Sequence, residues 1–275
     1  MSGGGGGGGG SVEPNRGTAV QVQSFWQEFR WQNCGLQHSN PKDFARSQWQ
    51  REDKCRWYLI YRWLLALFFN TGVVTCIAKY FWRGRWFLYL TNWAFLLCGF
   101  TSAFGAVIVS LFQRSPEKLV TRTGLLKIYW ASYWTNLVVA NVVGLVYWSC
   151  IYPRDRSLAN ITRVDNAYNL WTHALPSLIF GLDLMLVAFP ARLMHFIYPL
   201  SLALAYASFT YIYYISGGLD PRGRHYLYNI MDWERPRLAL LSTTLISMLF
   251  VVCSTLQFGM YRIRRYLAFK ITKLE

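Results

Sequence analysis

Two residues in this chain have the types and placement that acyl-transfer chemistry needs. Thr91 sits in "RWFLYLTNW" and His173 in "NLWTHALPSLIFGLDLML", both within stretches apolar enough to enter a bilayer. A threonine hydroxyl is a weak nucleophile until a base takes its proton. A neutral histidine within hydrogen-bond reach does that, and later returns the proton to the leaving group. Counted from Trp86 and Tyr168, where their segments begin, each residue lies five positions in. At ~1.5 Å per helical residue, both fall roughly 7 to 8 Å below the same membrane face. Lipid ester carbonyls lie near that depth. Equal depth is not a specific signal, since one Thr and one His often share a level by accident.

A second pair sits toward the opposite face. Arg62 is five residues in from Trp57, and Asp183 is seven residues before Pro190. Both depths come to roughly 7 to 11 Å. Ionisable groups in hydrocarbon are costly and raise a functional or structural question by default. An Arg62–Asp183 ion pair is one reading. Snorkelling of Arg62 to the headgroups and a hydrogen bond from a Tyr or Asn to Asp183 are the competing ones. Pro176 predicts a kink between these levels and frees the carbonyl of Thr172, beside His173. Asn136 and Asn141 read as helix-to-helix hydrogen-bonding residues. His195 stands at a helix entry, where an interfacial place is expected. His38 falls in a polar turn and is given no role, and His225 is read as solvated.

The elements that must hold these residues are long apolar blocks. Hydrophobic residues make up 53% of the 275 positions and charged ones only 15%, against roughly a quarter charged in soluble domains. The blocks have the ~20-residue length that crosses the hydrocarbon. The expected fold is an all-α membrane protein, a bundle of six transmembrane helices near 57–78, 86–112, 126–151, 168–190, 194–216 and 238–261. Lys and Arg flanking the blocks number 15 on one side and 10 on the other, which puts both termini in the cytosol. The sequon "NIT" at Asn160 then falls outside the cytosol, as a glycosylation candidate.

The expected organisation is a disordered Gly-rich tail over 1–19, a cytosolic or interfacial amphipathic segment over 20–56, the membrane domain over 57–261, and a basic tail over 262–275. Eight consecutive glycines near the start have nothing to bury, and no apolar stretch after Met1 suggests a cleaved signal. Val22, Phe25, Trp26 and Phe29 share one helical face. That face suits the membrane interface or the protein's own cytosolic surface equally.

The net charge of +15 is not read as a nucleic-acid footprint, because the basic residues flank the apolar blocks and no nucleic-acid motif is present. None of the six cysteines forms a C-x-x-C pair, so neither a metal nor another cofactor is expected. Cys76, Cys98 and Cys253 read as small core hydrophobes. Cys55, beside the first block, is a palmitoylation candidate. The expected partners are the lipid bilayer, a lipid ester if Thr91 reacts, and unidentified membrane proteins.

The order of "RWFLYLTNW", "NLWTHALPSLIFGLDLML" and "HFIYPL", with the poly-Gly start and "QEFRWQNCGLQHSNPKDF", resembles the rolling stone family of multi-pass membrane proteins over nearly the whole chain. The resemblance implies a developmental role in myoblast fusion in somatic muscle, at the plasma membrane or in the endoplasmic reticulum. A looser resemblance runs to the androgen-induced family of intramembrane threonine hydrolases, through "YLTNW" and "WTHALP". It implies cleavage of fatty acid esters of hydroxy fatty acids by Thr91 and His173. The His to Leu-Pro spacing is shorter here than in that family's pattern. A transporter is disfavoured, because no paired broken helices repeat along the chain.

Overall fold

The structure is a computed structural model that describes residues 25–153 and 163–274. The Gly-rich start, Val22 and Asn160 lie outside the described residues. Six helical rods carry the fold. They are α1 (Arg56–Tyr80), α2 (Leu90–Arg114), α3 (Thr123–Val146, continued by a π turn at Tyr147–Ile151), α4 (Arg163–Asn169, a π turn at Leu170–Ala174, then Leu175–Leu186), α5 (Ile197–Ile215) and α6 (Pro236–Leu274). No strand forms among the described residues, only an isolated bridge between Ser47 and Val187. Helices satisfy every backbone group internally, which is what hydrocarbon demands of a spanning segment.

Among the described residues, five helices are long and apolar enough to cross a membrane: Arg56–Tyr80, Leu90–Arg114, Thr123–Ile151, Leu193–Ile215 and Pro236–Ile271. The remaining expected span, α4, is not among these five. His173, Pro176 and Asp183 dilute its apolar character, and a π turn interrupts it just before Pro176. The proline has no N–H to donate and its ring crowds the carbonyl four residues back. The expected kink therefore takes the form of a local widening of the helix.

α4 ends at Leu186, earlier than the sequence suggests, because other segments take its last carbonyls. Leu186 O accepts from Ser47 Oγ and Gln48 N, each at 2.8 Å. Met185 O accepts the Trp49 indole at 2.7 Å, and Leu184 O accepts Arg264 Nη1 at 2.7 Å. The C-terminal carbonyls that a helix leaves unpaired are thus capped by two distant parts of the chain.

α3 runs through the centre. Trp130, Tyr133, Trp134, Leu137, Val138 and Val139 on it are all fully or nearly fully buried. The Phe180 ring of α4 stacks on Phe69 of α1 at 5.2 Å, and Phe189 meets Tyr133 edge-on at 4.6 Å. α6 lies at the periphery and exposes Leu240, Leu241, Leu245, Met248, Val252 and Leu256. Such a leucine-rich face suits lipid.

The bundle has two distinct ends. One carries the 216–235 connection and the N-terminus of α2, here the loop end. The other gathers residues 25–55, the α4–α5 connection and the second half of α6, here the terminal end. At the terminal end the expected amphipathic helix is replaced by 3₁₀ turns at Phe25–Phe29, Trp31–Cys34 and Pro41–Ala45. Tertiary hydrogen bonds explain the difference. Arg192 donates to Gly35 O at 3.1 Å and Gln37 O at 2.6 Å, and Tyr198 Oη donates to Cys34 O at 2.6 Å. His195 is fully buried there, 3.2 Å from Gly35 O and against Trp130. Glu28 is buried in the same layer, beside Leu193 and facing Arg262 and Arg192. Trp26 and Trp31 remain outside it, 78% and 83% exposed, so the aromatic face is not what seats this segment.

Candidate functional site

The loop end holds the residues that bear chemistry. Thr91 is on the first turn of α2 and lines a small apolar cavity of about 60 Å³ between α2, α3, α5 and α6. Tyr228, from the 216–235 connection, lines this cavity beside Thr91, with its ring 6.4 Å from that of Tyr206. Burial raises the Tyr228 phenol above its ordinary value, and polar groups at Thr91 oppose the rise. Tyr206 Oη in turn donates to Leu88 O at 2.8 Å. This bond ties α5 to the turn that leads into α2.

His173 sits in the π turn of α4 and is nearly buried. Its Nδ1 is 3.0 Å from Asn169 O and 2.8 Å from Thr172 Oγ1. The Thr172 hydroxyl donates to Tyr168 O at 2.8 Å, and a carbonyl can only accept. The network therefore assigns the proton to Nδ1 and leaves Nε2 as the basic nitrogen. The imidazole stacks flat on Tyr147, with centroids 3.4 Å apart and planes at 14°. Tyr147 opens the π turn of α3, so two widened turns face one another at this level. Gly144 permits the approach: a Cβ there would lie 2.7 Å from both His173 O and Ser177 Oγ.

The structure places Thr91 and His173 at the same end but not in the same space. His173 lines a second cavity, of about 390 Å³, with Tyr80, Trp82, Arg85, Asn92 and Asp165. Asn92, one residue beyond Thr91, faces that second cavity while Thr91 faces the first. Among the described residues no hydrogen bond joins Thr91 to His173. Tyr147 links them, since it lines the Thr91 cavity and covers one face of the His173 ring.

Arg62 and Asp183 do come together. Arg62 Nη1 lies 3.1 Å from Asp183 Oδ2, with side chains 1% and 0% exposed. Tyr61 Oη donates to Asp183 Oδ1 at 2.7 Å, and Arg62 Nη2 donates to Tyr58 Oη at 2.6 Å. Each carboxylate oxygen has a donor, which is the condition under which a buried ion pair is tolerated. Its surroundings are structural: it ties α1 to the C-terminal half of α4.

Arg264 was not singled out by the sequence, where it reads as one basic residue in a tail. It is fully buried and donates to Leu184 O and Phe189 O. α6 continues without interruption to Leu274, past the expected boundary at 261. The signal was present in the helical phase. Phe250, Cys253, Gln257 and Phe258 form the buried face, and Arg264 continues it. Three cysteines, Cys76, Cys98 and Cys253, are buried among the helices, while Cys150 is exposed. No group of three His, Cys, Asp or Glu side chains able to hold a metal occurs among the described residues.

The chain as a whole is similar in sequence to known proteins. No solved structure matches it. The protein named rolling stone from Drosophila melanogaster is 35% identical over 254 residues, covering 88% of this chain and 90% of that protein. The family model described as protein rolling stone matches residues 19–273. The chain belongs to the rolling stone family.

Proposed function

We propose that this is a six-span membrane protein, with both termini in the cytosol, that acts in myoblast fusion during muscle development. The family match over residues 19–273 carries this reading. The topology is supported by α4, which runs beside the five strongly apolar helices and ties to them through Asp183, Ser177 and Phe180. It is supported also by the packing of Glu28 against Leu193 and Arg262, which brings both described ends of the chain to one end of the bundle. In this orientation the 216–235 connection and Asn160 are extracytosolic. Asn160 would then be glycosylated, and the plasma membrane is the site of action. The connection is short and folds back on the bundle through Tyr228 and Trp233. The protein therefore serves fusion from within the bilayer, through lipids or neighbouring membrane proteins, and not as an adhesive ectodomain. Myoblasts lacking the chain should reach normal numbers and stay mononucleate; normal multinucleate fibres in its absence would refute the proposal.

A second reading is an intramembrane Thr/His hydrolase of lipid esters such as fatty acid esters of hydroxy fatty acids. Its support is the Thr91 hydroxyl on an apolar cavity, with the basic His173 Nε2 one ring away behind Tyr147. In this reading Tyr147 leaves the stack and Nε2 takes the Thr91 proton. Thr91 Oγ then attacks the ester carbonyl, and the alcohol leaves with the proton from Nε2. A fluorophosphonate probe should label the protein, and Thr91→Ala and His173→Ala should each abolish labelling. Absence of labelling in folded wild-type protein would remove this reading.

A further inference from the structure

We propose that the cavity beside His173 is a binding site for a phosphodiester with a hydroxyl-bearing head, as in the headgroups of phosphatidylglycerol and phosphatidylinositol. The phosphate is held at Arg85 and Trp86, and a hydroxyl of the head at His173. The inference stands apart from both functional readings, because it concerns binding and needs neither fusion nor hydrolysis.

The cavity lies where a headgroup lies. Its walls come from the last turns of α1, the α1–α2 connection, the first turn of α2 and the N-terminal half of α4. A short connection between two consecutive spans sits at the membrane boundary. Tyr80, Trp82, Trp86, Tyr89 and Tyr168 give the cavity the Trp and Tyr character of that level. Its volume, about 390 Å³, is within the roughly 300–1,000 Å³ of small-molecule sites. Only the polar head has to enter, and the acyl chains stay in the bilayer.

Three polar groups on the wall have unmet capacity. Arg85 lies over the Trp82 ring, 4.5 Å from its centroid, and reaches Asp220 O at 3.4 Å. It has no carboxylate partner among the described residues. Trp86 is 4% exposed, and its indole N–H has no acceptor. A buried donor is costly unless something accepts from it. His173 Nε2 is the third. With the proton on Nδ1, Nε2 is an acceptor, and no described residue donates to it.

These groups select the ligand. The guanidinium and the indole N–H call for an anion, and the neutral imidazole nitrogen calls for a hydroxyl. The carboxylate on the wall is Asp165, which Lys79 at 3.0 Å and Tyr80 Oη at 2.6 Å already hold. The surplus is the single positive charge of Arg85. A phosphodiester carries one negative charge and matches it. A phosphate monoester carries about 1.5 to 2 and would meet Asp165 without further counter-charge. A choline head brings no hydroxyl to His173. The Tyr80 and Tyr168 rings that could receive its ammonium already carry Lys79, at 4.9 and 5.1 Å.

The test is native mass spectrometry of the full-length protein, released from phosphatidylcholine nanodiscs doped with phosphatidylglycerol or phosphatidylinositol. One doped lipid per chain should survive delipidation, retained at least roughly tenfold over phosphatidylcholine. Arg85→Gln should remove that preference. Trp86→Phe keeps the aromatic wall, loses the N–H and should weaken retention several-fold; it stands in if Arg85→Gln does not fold. Arg83→Gln, exposed in the same connection and outside the cavity, should change nothing. Soluble glycerophosphoglycerol, the same diester without chains, separates the sources. Displacement of the retained lipid assigns the site to the diester from either source, and retention against it assigns the site to the lipid. Equal retention of phosphatidylcholine, or the same loss in Arg83→Gln as in Arg85→Gln, would overturn the proposal.

Discussion

Replacing Asp183 by leucine removes one partner of a buried ion pair and leaves the other in place. The carboxylate accepts from Arg62 at 3.1 Å and from Tyr61 at 2.7 Å, and is fully buried. In the variant, Arg62 keeps the Tyr58 hydroxyl as a partner but loses its counter-charge. Stranding one member of such a pair costs about 3–5 kcal/mol, a large part of the ~5–15 kcal/mol that holds a typical protein folded. For a domain of this size each kcal/mol moves Tm by roughly 2–4 °C, so the expected fall is on the order of 10 °C. Replacing both residues, as Arg62→Met with Asp183→Leu, removes the stranded charge and should recover most of that loss. The buried Cys76, Cys98 and Cys253 make the assay direct. In a background with Ser at the other cysteines, a thiol-reactive fluorophore reports unfolding in detergent as temperature rises. A single variant within 2 °C of wild type would refute the assigned role. So would a double variant that loses as much as the two singles together.

Other expectations follow from the same geometry. Gly144→Val should bring a side chain into His173 O and Ser177 Oγ and destabilise by about 1–3 kcal/mol, read by the same thiol assay; an unchanged Tm would contradict the close packing of α3 on α4. Arg264→Leu leaves the carbonyls of Leu184 and Phe189 without a buried donor and should lower Tm by several degrees, at about 1–3 kcal/mol per stranded group. If Arg264 belonged to a solvated tail, the change would be silent. Asp220 has its carboxyl held below the usual range. Burial opposes this, but the Arg224 N–H, the Arg224 guanidinium and the Arg222 N–H outweigh it. A depressed carboxyl contributes stability that is present above the unfolded value of about 3.9 and lost as pH falls through the folded one. The 216–235 connection should therefore resist protease at neutral pH and become cleavable only in strong acid. Asp220→Asn should make it cleavable at every pH, and pH-independent resistance in wild type would contradict the assignment.

Depth was legible in the sequence because helical rise is nearly constant. Counting residues from the block ends put Arg62 and Asp183 on one level, and their charged atoms lie 3.1 Å apart. Counting also put Thr91 and His173 on one level, yet they line different cavities. Rotation about the helix axis decides that, and it is set by features that counting does not see. The π turns at Tyr147–Ile151 and Leu170–Ala174 each change the phase of the residues beyond them. The 216–235 connection then supplies Tyr228 as the neighbour of Thr91 in its cavity. The segment before α1 shows the opposite limit. Its periodic apolar residues suggested a helix, but Arg192 and Tyr198 claim the carbonyls of Gly35, Gln37 and Cys34, and tertiary bonds override the local pattern. Arg264 reads as a tail residue by type, and only its helical phase with Phe250 and Gln257 marks it as buried.

The proposed role of the bundle in myoblast fusion is read out by the fraction of nuclei in multinucleate fibres, in myoblasts lacking the chain and in the same cells re-expressing it. Loss should leave myoblasts aligned but mononucleate, and re-expression of wild type should restore fibres. Expression of Asp183→Leu, whose bundle is destabilised, should fail to do so. Fibres that form normally without the chain would contradict the account.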